Sequence, residues 1–263
     1  MSSNPPLIEV KGLSKSFALP RPVLWKPAQA LQVLRDIHLT IQEGEIVGLV
    51  GESGSGKSTL GECIGGLQTA PPGTIKFRGT SLEQLQGAGL KEYQRSVQYV
   101  FQDPVETLNP RYTVEQIIAE PIRAAGLIKQ PKDIREAVEQ LLQDVGLDAA
   151  YMKSRPGQLS GGQCQRVAIA RALSTKPALL ICDEAVSALD LSVQATILNL
   201  LGELRRKYRI SQLFISHDLH VVKYLADRVA VIHQGTIVES GHTEHVFKHP
   251  EHAYTQSLIS SAL

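Results

Sequence analysis

The chain has 263 residues, 43% of them apolar, enough to bury a sizeable core in one large domain or two small ones. Twenty-seven basic residues against 26 acidic ones leave a formal charge of +1, so no broad basic surface points to nucleic acid or anionic lipid. No apolar stretch approaches the roughly 18 to 20 uncharged residues of a membrane helix, and the start Met1-Ser2-Ser3-Asn4-Pro5-Pro6 lacks the cationic and apolar regions of a signal peptide, so a cytoplasmic chain is expected. Leu7 to Val10 and Gln32 to Ile41 read as strands; in the second, Val33, Ile37, Leu39 and Ile41 alternate as in a half-buried strand and Arg35 breaks the pattern. Between them Leu19 to Ala30, rich in Pro and holding the only Trp, Trp25, reads as a loop or insertion. Glu45 to Val50 is an apolar strand running into Gly51, and Thr59 to Leu67 is the helix that follows, the opening of an α/β unit. From about Val114 to Val145 apolar residues recur at helical spacing, with Ile117, Ile118 and Ile122, then Ile134, Val138, Leu141, Leu142 and Val145. This helical insert interrupts the α/β core. Alternation then resumes with strand Ala178 to Cys182, helix Val193 to Lys207, strands Gln212 to Ile215, Val229 to His233 and Thr236 to Glu239, and a short helical tail. Cys63, Cys164 and Cys182 form no C-x-x-C pair and read as reduced packing residues.

The strand-to-helix junction Gly51-Glu52-Ser53-Gly54-Ser55-Gly56-Lys57-Ser58 fits the P-loop pattern G-x-x-x-x-G-K-[ST], in the place its chemistry requires. Three glycines let the backbone curl so that successive N–H groups face phosphate oxygens, and the following helix, with Thr59 in its first turn, aims the positive end of its dipole there. Lys57 is expected to reach the β- and γ-phosphates of ATP and the Ser58 hydroxyl to ligate Mg²⁺. A second apolar strand, Leu179-Leu180-Ile181-Cys182, ends in Asp183 and Glu184, which puts two carboxylates at the ligand edge of a parallel sheet. Asp183 is expected to hold Mg²⁺ and Glu184 to orient or deprotonate the attacking water.

Leu159-Ser160-Gly161-Gly162-Gln163 lies between these two strings, and with it the chain resembles the ABC ATPase family, whose signature this pentapeptide is. The resemblance runs along essentially the whole chain, through an aromatic, P-loop, glutamine, signature, acidic strand, Ser187-Ala188-Leu189-Asp190 and His217. It implies an α/β fold: a P-loop NTPase (RecA-like) core with an N-terminal antiparallel β subdomain and an inserted α-helical subdomain. Residues 1–102 and 177–263 would form the β subdomain and core, and 103–176 the helical subdomain ending with the signature helix. By the same resemblance Phe17 stacks on adenine, and Gln102 contacts Mg²⁺ and the lytic water. Ser160, Gly161, Gly162 and Gln163 embrace ATP bound to an opposite subunit, Asp190 crosses the dimer interface, and His217 touches the γ-phosphate. ATP then acts as an adhesive between two subunits, and its hydrolysis becomes motion.

Longer phrases narrow the likeness. Phe101-Gln102-Asp103-Pro104 with Leu108-Asn109-Pro110-Arg111, Cys182 to Asp190, and Val246-Phe247 through Tyr254-Thr255 are similar to ATPases of peptide and nickel importers, although Ala185 stands where many of them have Pro. That resemblance implies a related but non-identical second ATPase subunit, two membrane permeases, indirect service to a solute-binding protein, no nucleic acid, and a peripheral place on the cytoplasmic face of the plasma membrane. The segment Val105 to Val114 is the expected coupling surface to the permeases. The rival reading is a soluble ABC ATPase in a non-transport assembly such as phosphonate degradation. Two lesser features stand apart. Leu204-Arg205-Arg206-Lys207-Tyr208-Arg209 is a basic run, but it falls at a helix C-terminus, where cations complement the dipole, a reading preferred to a binding patch. His242, His245, His249 and His252 include a pair at helical spacing that can bind Ni²⁺ or Zn²⁺, but Pro250 interrupts the helix and no Cys or acid motif completes a site.

Overall fold

The computed structural model describes residues 5–18, 30–187 and 189–262, so the Pro-rich segment, Trp25 included, lies outside the described residues except for Ala30. In chain order the elements are β1 (Ile8–Ala18), β2 (Ala30–Ile41), β3 (Ile46–Val50), α1 (Lys57–Ile64), β4 (Ile75–Phe77), β5 (Thr80–Ser81), α2 (Gly87–Ser96), β6 (Val97–Val100), α3 (Pro104–Thr107), α4 (Val114–Ala124) and α5 (Pro131–Asp144). There follow α6 (Gly161–Leu173), β7 (Leu179–Asp183), α7 (Leu191–Tyr208), β8 (Ser211–Ser216), α8 (Leu219–Leu225), β9 (Arg228–His233), β10 (Thr236–His242), α9 (Thr243–Lys248) and α10 (Ala253–Ala262). They gather into two compact units, 1–86 with 213–263, and 87–212, and β8 is the strand along which the chain passes from the second into the first.

In the first unit β1 pairs antiparallel with β2 and β4, and β4 with β5, giving the expected antiparallel β region. The core-facing residue near the start of β2 is Leu34, fully buried, and not Val33. The reason is local: Asp36 takes a positive φ of 48° and the β1–β2 register shifts, so the side-chain alternation changes phase between Leu34 and Ile37. What the sequence presents as a break at Arg35 is this irregularity. The same unit holds β10, β9, β3 and β8 as neighbours in that order, β3 parallel to β9 and β9 antiparallel to β10. All five residues of β3 and all six of β8 are buried, the continuous apolar content of strands covered on both faces. Asp227 fixes the edge of this pairing: its carboxylate accepts from Ile46 N–H at 2.8 Å and its own N–H donates to the Ile46 carbonyl at 2.9 Å.

In the second unit the helical periodicity between Val114 and Val145 resolves into α4 and α5, separated by 125–130. Helix α4 starts on a capping box in which Thr113 Oγ1 accepts from Gln116 N–H at 3.3 Å and the Gln116 amide oxygen from Thr113 N–H at 2.9 Å. Helix α5 starts with Pro131, whose missing N–H costs nothing in a first turn. Ile117, Ile118, Ile122, Ile134, Val138 and Leu142 form the buried stripes. Strand β7 runs parallel to β6, and Ser211, the first residue of β8, donates to the Ala178 carbonyl at 2.9 Å. Segment 103–176 falls within this unit, together with β6, β7 and α7.

The sequence reading passed over β4, β5, α2, β6 and α8. The strands among them are two to four residues long, too short for a period to register, and α2 buries only Tyr93 and Ser96 on an otherwise polar helix. All three cysteines are free and buried, as their reading as packing residues requires. Burial and the adjoining Asp183 push the Cys182 thiol up to about 12, which leaves it without thiolate character at neutral pH.

Candidate functional site

The first unit carries the P-loop. Strand β3 delivers Gly51, and the turn closes on α1, whose N-cap is Gly56 at φ 105°, a conformation that L side chains rarely take. A Cβ there would also lie 2.8 Å from Leu34 Cδ2 and 3.0 Å from the Val33 carbonyl, and one on Gly51 would lie 2.1 Å from the Ile232 carbonyl. Both glycines are therefore required by the surroundings of the turn as well as by its curl. Lys57 is buried, with 5% of its surface exposed, and its Nζ donates to the Gly51 and Glu52 carbonyls at 2.8 Å each. A buried ammonium held by two neutral carbonyls is poised to exchange them for an anion, a stronger partner. From behind, Gly235 N–H donates to the Ser55 carbonyl at 3.0 Å, and Arg35 N–H to the Gly235 carbonyl at 2.7 Å, tying the turn to β2. Ser55 Oγ is buried with no hydrogen-bond partner among the described residues. The glycine-lined curl, the ammonium across it and this buried hydroxyl fit a phosphate chain.

Of the other residues expected in the site, the first unit holds Phe17 and His217. Phe17 is half-buried on β1, with Lys15 Nζ 5.3 Å from its ring centroid. His217 is exposed and follows β8 directly; Asp218 next to it caps α8, accepting from His220 N–H at 2.8 Å.

The second unit carries the carboxylates, the glutamine and the signature. Strand β7 ends at Asp183, and Glu184 stands in the left-handed region at φ 46°, a strained backbone for a residue with a side chain. That turn is held by Ser187, whose N–H and hydroxyl both donate to the Glu184 carbonyl, at 3.0 and 2.9 Å. The Gln102 amide nitrogen donates to Glu184 Oε2 at 3.1 Å and to Ser187 Oγ at 3.4 Å. Tyr99, on β6, donates its hydroxyl to Asp183 Oδ2 at 2.6 Å and packs against the Phe101 ring. Asp183, Glu184 and Gln102 are thus brought together in one cluster.

The signature opens α6. Ser160 Oγ accepts from Gln163 N–H at 3.3 Å while the Gln163 amide oxygen accepts from Ser160 N–H at 2.9 Å, a second capping box. Gln163 also donates to the Tyr151 hydroxyl at 2.9 Å, so its side chain shapes the helix start. A Cβ on Gly162 would sit 2.5 Å from Val193 Cγ1, which records how closely α6 approaches α7. Asp190 is exposed at the N-cap of α7, and Leu191 beside it is 83% exposed.

The model of the ABC transporter family matches residues 34–187, a stretch that spans the P-loop, Gln102, the signature and both carboxylates. The chain belongs to the ABC transporter family. This cassette is 42% identical, over 97% of its length, to the "Oligopeptide transport ATP-binding protein OppF" of Streptococcus mutans, covering 81% of that protein. It is also 42% identical to the "Dipeptide transport ATP-binding protein DppF" of Lactococcus lactis subsp. cremoris, covering 97% of this chain and 80% of that one. Among solved structures, the ATP-binding cassette MJ0796 in a dimeric post-hydrolysis state with ADP and Pi superposes with a TM-score of 0.78 at 27% identity, covering 90% of this chain and 98% of that one. CbiO1 of Clostridium perfringens, part of the ABC transporter complex cbiONQ, superposes at 0.77 and 28% identity over 94% of this chain and 92% of that one. The expected fold, a P-loop NTPase core with β and helical additions, is the fold shared with these two structures.

Reading the residues in line missed Tyr99, any task for Ser187, and Tyr254, whose hydroxyl accepts from Glu52 N–H at 3.1 Å. The signal for Tyr99 lay in its place two residues before Phe101 on a β-rich run, but its partner is set by the parallel register of Tyr99 with Ile181. Among the described residues no group of three or more His, Cys, Asp or Glu could hold a metal on its own. His245 and His249 lie with ring centroids 5.7 Å apart, and His252 Nδ1 accepts from Tyr254 N–H at 3.1 Å.

Proposed function

We propose that this cassette binds and hydrolyses ATP to drive import of peptides through separate membrane permeases. The observation that carries the reading is the Gly51–Ser58 turn, with a buried Lys57 laid across it on two carbonyls that a phosphate can replace. Cargo follows from the relatives: those compared are named for oligopeptide and dipeptide transport, which favours peptide over nickel-type solutes and transport over a non-transport assembly.

In this reading the backbone amides of Gly51 to Thr59, Glu52 excepted, and Lys57 bind the phosphates, and Phe17 stacks on the base. Ser58, Asp183 and Gln102 would hold Mg²⁺; a hydroxyl, a carboxylate and an amide oxygen are the hard donors that ion takes. Mg²⁺, when bound, supplies charge neutralisation on the phosphate oxygens. Glu184 accepts the proton of the attacking water, and Gln102, already bonded to it, orders that water. Ser187 positions Glu184 through its carbonyl. His217 contacts the γ-phosphate as a donor. Ser160, Gly161, Gly162 and Gln163 serve the nucleotide of an opposite subunit, with the capped start of α6 facing phosphate, and Asp190 lies across the same interface. MJ0796 is dimeric in its ADP- and Pi-bound structure, which favours such a sandwich. The opposite subunit is a related, non-identical ATPase.

Residues 103–176 form the helical subdomain that answers to the permeases, and the whole works on the cytoplasmic face of the membrane; among the described residues no helix is long and apolar enough to cross one. Exposed Val105 and Tyr112, and a depression lined by Tyr112, Gln116, Glu120 and Arg123, support a docking surface there. Co-purification of the tagged chain from native membranes tests the reading. Two permeases, a second ATPase and peptide-stimulated ATP hydrolysis are expected; recovery in a soluble complex without permeases would overturn it.

A further inference from the structure

The phosphate-binding turn is held from behind by a residue two hundred positions further along the chain. Glu52 N–H donates to Tyr254 Oη at 3.1 Å, and the Tyr254 ring stacks on His233 with centroids 3.8 Å apart and planes 29° from parallel. His233 follows Ile232, the residue whose carbonyl leaves no room for a Cβ at Gly51. Two successive residues of the turn, Gly51 and Glu52, therefore rest on the end of β9 and the start of α10. On its other side the same Gly51–Glu52 peptide is fixed by Lys57, which donates to the Gly51 carbonyl at 2.8 Å. One peptide is thus held at both polar groups, and its N–H, given to a phenol oxygen, is not offered to an anion.

Tyr254 is itself anchored. Its N–H donates to His252 Nδ1 at 3.1 Å, and the N–H groups of Glu251 and His252 each donate to the Glu239 carboxylate at 3.0 Å, securing the entry to α10 against β10. Burial raises the Tyr254 hydroxyl above the ordinary phenol range, so it stays neutral and able to accept.

We propose that Tyr254, seated on His233, is a positioning residue for nucleotide binding: it sets the orientation of the Glu52 peptide and through it the aim of the phosphate-binding amides that follow. When Lys57 exchanges the Gly51 and Glu52 carbonyls for phosphate, Tyr254 keeps its hold on the Glu52 peptide. The inference rests on reading Gly51–Ser58 as an ATP site. Because the contact bears on the turn as a whole and not on the γ-phosphate, its loss should weaken ATP and ADP alike and leave the chemical step alone.

The test is equilibrium titration of the full chain with Mg-ATP and Mg-ADP, together with steady-state ATPase in the assembled transporter. Tyr254→Phe removes one oxygen and keeps the stack. It is expected to raise both dissociation constants by about three- to tenfold, the effect of one lost hydrogen bond, with kcat within about twofold of the parent. His233→Ala should weaken binding in the same direction, and His233→Phe, which restores an aromatic face, should recover it. Parent-like affinities in Tyr254→Phe would overturn the proposal whatever the His233 variants do, as would a loss confined to kcat. A His233→Phe variant no better than His233→Ala would remove the stack from it. Failure of the parent chain to bind nucleotide would instead overturn the ATP reading beneath it.

Discussion

The Gly51–Ser58 turn and the Gln102, Asp183 and Glu184 cluster are expected to serve one reaction, yet they are built from different materials. The turn is backbone: two glycines that neighbours would not let carry a Cβ, carbonyls engaged by Lys57, and amides proposed to bind phosphate. The cluster is side chain: Gln102 on Glu184, Tyr99 on Asp183, and a strained Glu184 backbone secured by one serine. A backbone cradle is set once the fold forms and is sensitive to shape. A side-chain cluster can be adjusted one group at a time, which suits chemistry that depends on a single proton acceptor. Substitutions in the turn should therefore move affinity, and substitutions in the cluster should move turnover.

The largest separation is expected at Glu184. Glu184→Gln keeps size and hydrogen bonding but removes the base, so hydrolysis should fall by roughly 10² to 10⁴, with Mg-ATP affinity within about twofold of the parent. An ATP-bound dimer should then accumulate on size-exclusion chromatography, in the presence of the partner ATPase where pairing requires it. Near-parental turnover would break the comparison and turn attention to Gln102 or His217.

At Gly56 the opposite pattern is expected. Gly56→Ala places a Cβ at φ 105°, 2.8 Å from Leu34 Cδ2, a backbone and packing cost of about 1 to 3 kcal/mol borne mainly by the turn. Nucleotide affinity should drop about tenfold or more, as measured by titration. Unchanged affinity would mean the cradle is more plastic than its glycines imply.

A smaller effect should follow from Ser187→Ala, which deletes the 2.9 Å bond to the Glu184 carbonyl and the 3.4 Å contact with Gln102. With one hydrogen bond worth about 1 kcal/mol, turnover should fall about fivefold while affinity holds. Loss of affinity in place of turnover would show Ser187 supporting binding.

The strings whose chemistry needs neighbours in sequence were legible without coordinates. A P-loop, a signature and an apolar strand ending in Asp183-Glu184 each function as contiguous peptide. Buried strands such as β3 were also readable as continuous apolar runs, and the stripes of α4 and α5 because burial of one face imposes a period. What escaped depends on register and phase. Tyr99 meets Asp183 because β6 lies beside β7, and Tyr254 meets Glu52 because α10 returns beside the turn, and neither adjacency is written in a local pattern. Leu34 replaced Val33 as the core residue because a positive φ at Asp36 inverts the alternation.

The last prediction uses a third kind of contact, one that shares no residue with either region, as a control on the comparison. Asp144, at the end of α5, is only 3% exposed yet charged. Lys207 Nζ donates to its Oδ1 at 2.5 Å, Gln140 Nε2 to the same oxygen at 2.9 Å, and the Tyr208 hydroxyl to Oδ2, so it ties α5 to α7. Burial pushes this carboxyl up, but the donors from Lys207, Tyr208 and Gln140 outweigh burial and hold it below the ordinary carboxylate range. A carboxylate whose folded pKa lies below its unfolded value of about 3.9 contributes its full stabilisation above that value, and the contribution disappears as pH falls through the lower, folded pKa. Asp144→Asn should therefore lower stability at pH 7 by about 1 to 3 kcal/mol, toward the low end because Lys207 is half exposed and screened. Urea midpoints measured from pH 7 down to about pH 3 should show a constant gap between parent and variant above about pH 4 and a narrowing gap below it, with ATP affinity and turnover per folded molecule unchanged throughout. A stability gap that stays constant across that range would mean that Asp144 acts through shape and not through charge, and a change in turnover would mean that the α5–α7 tie reaches the chemistry after all.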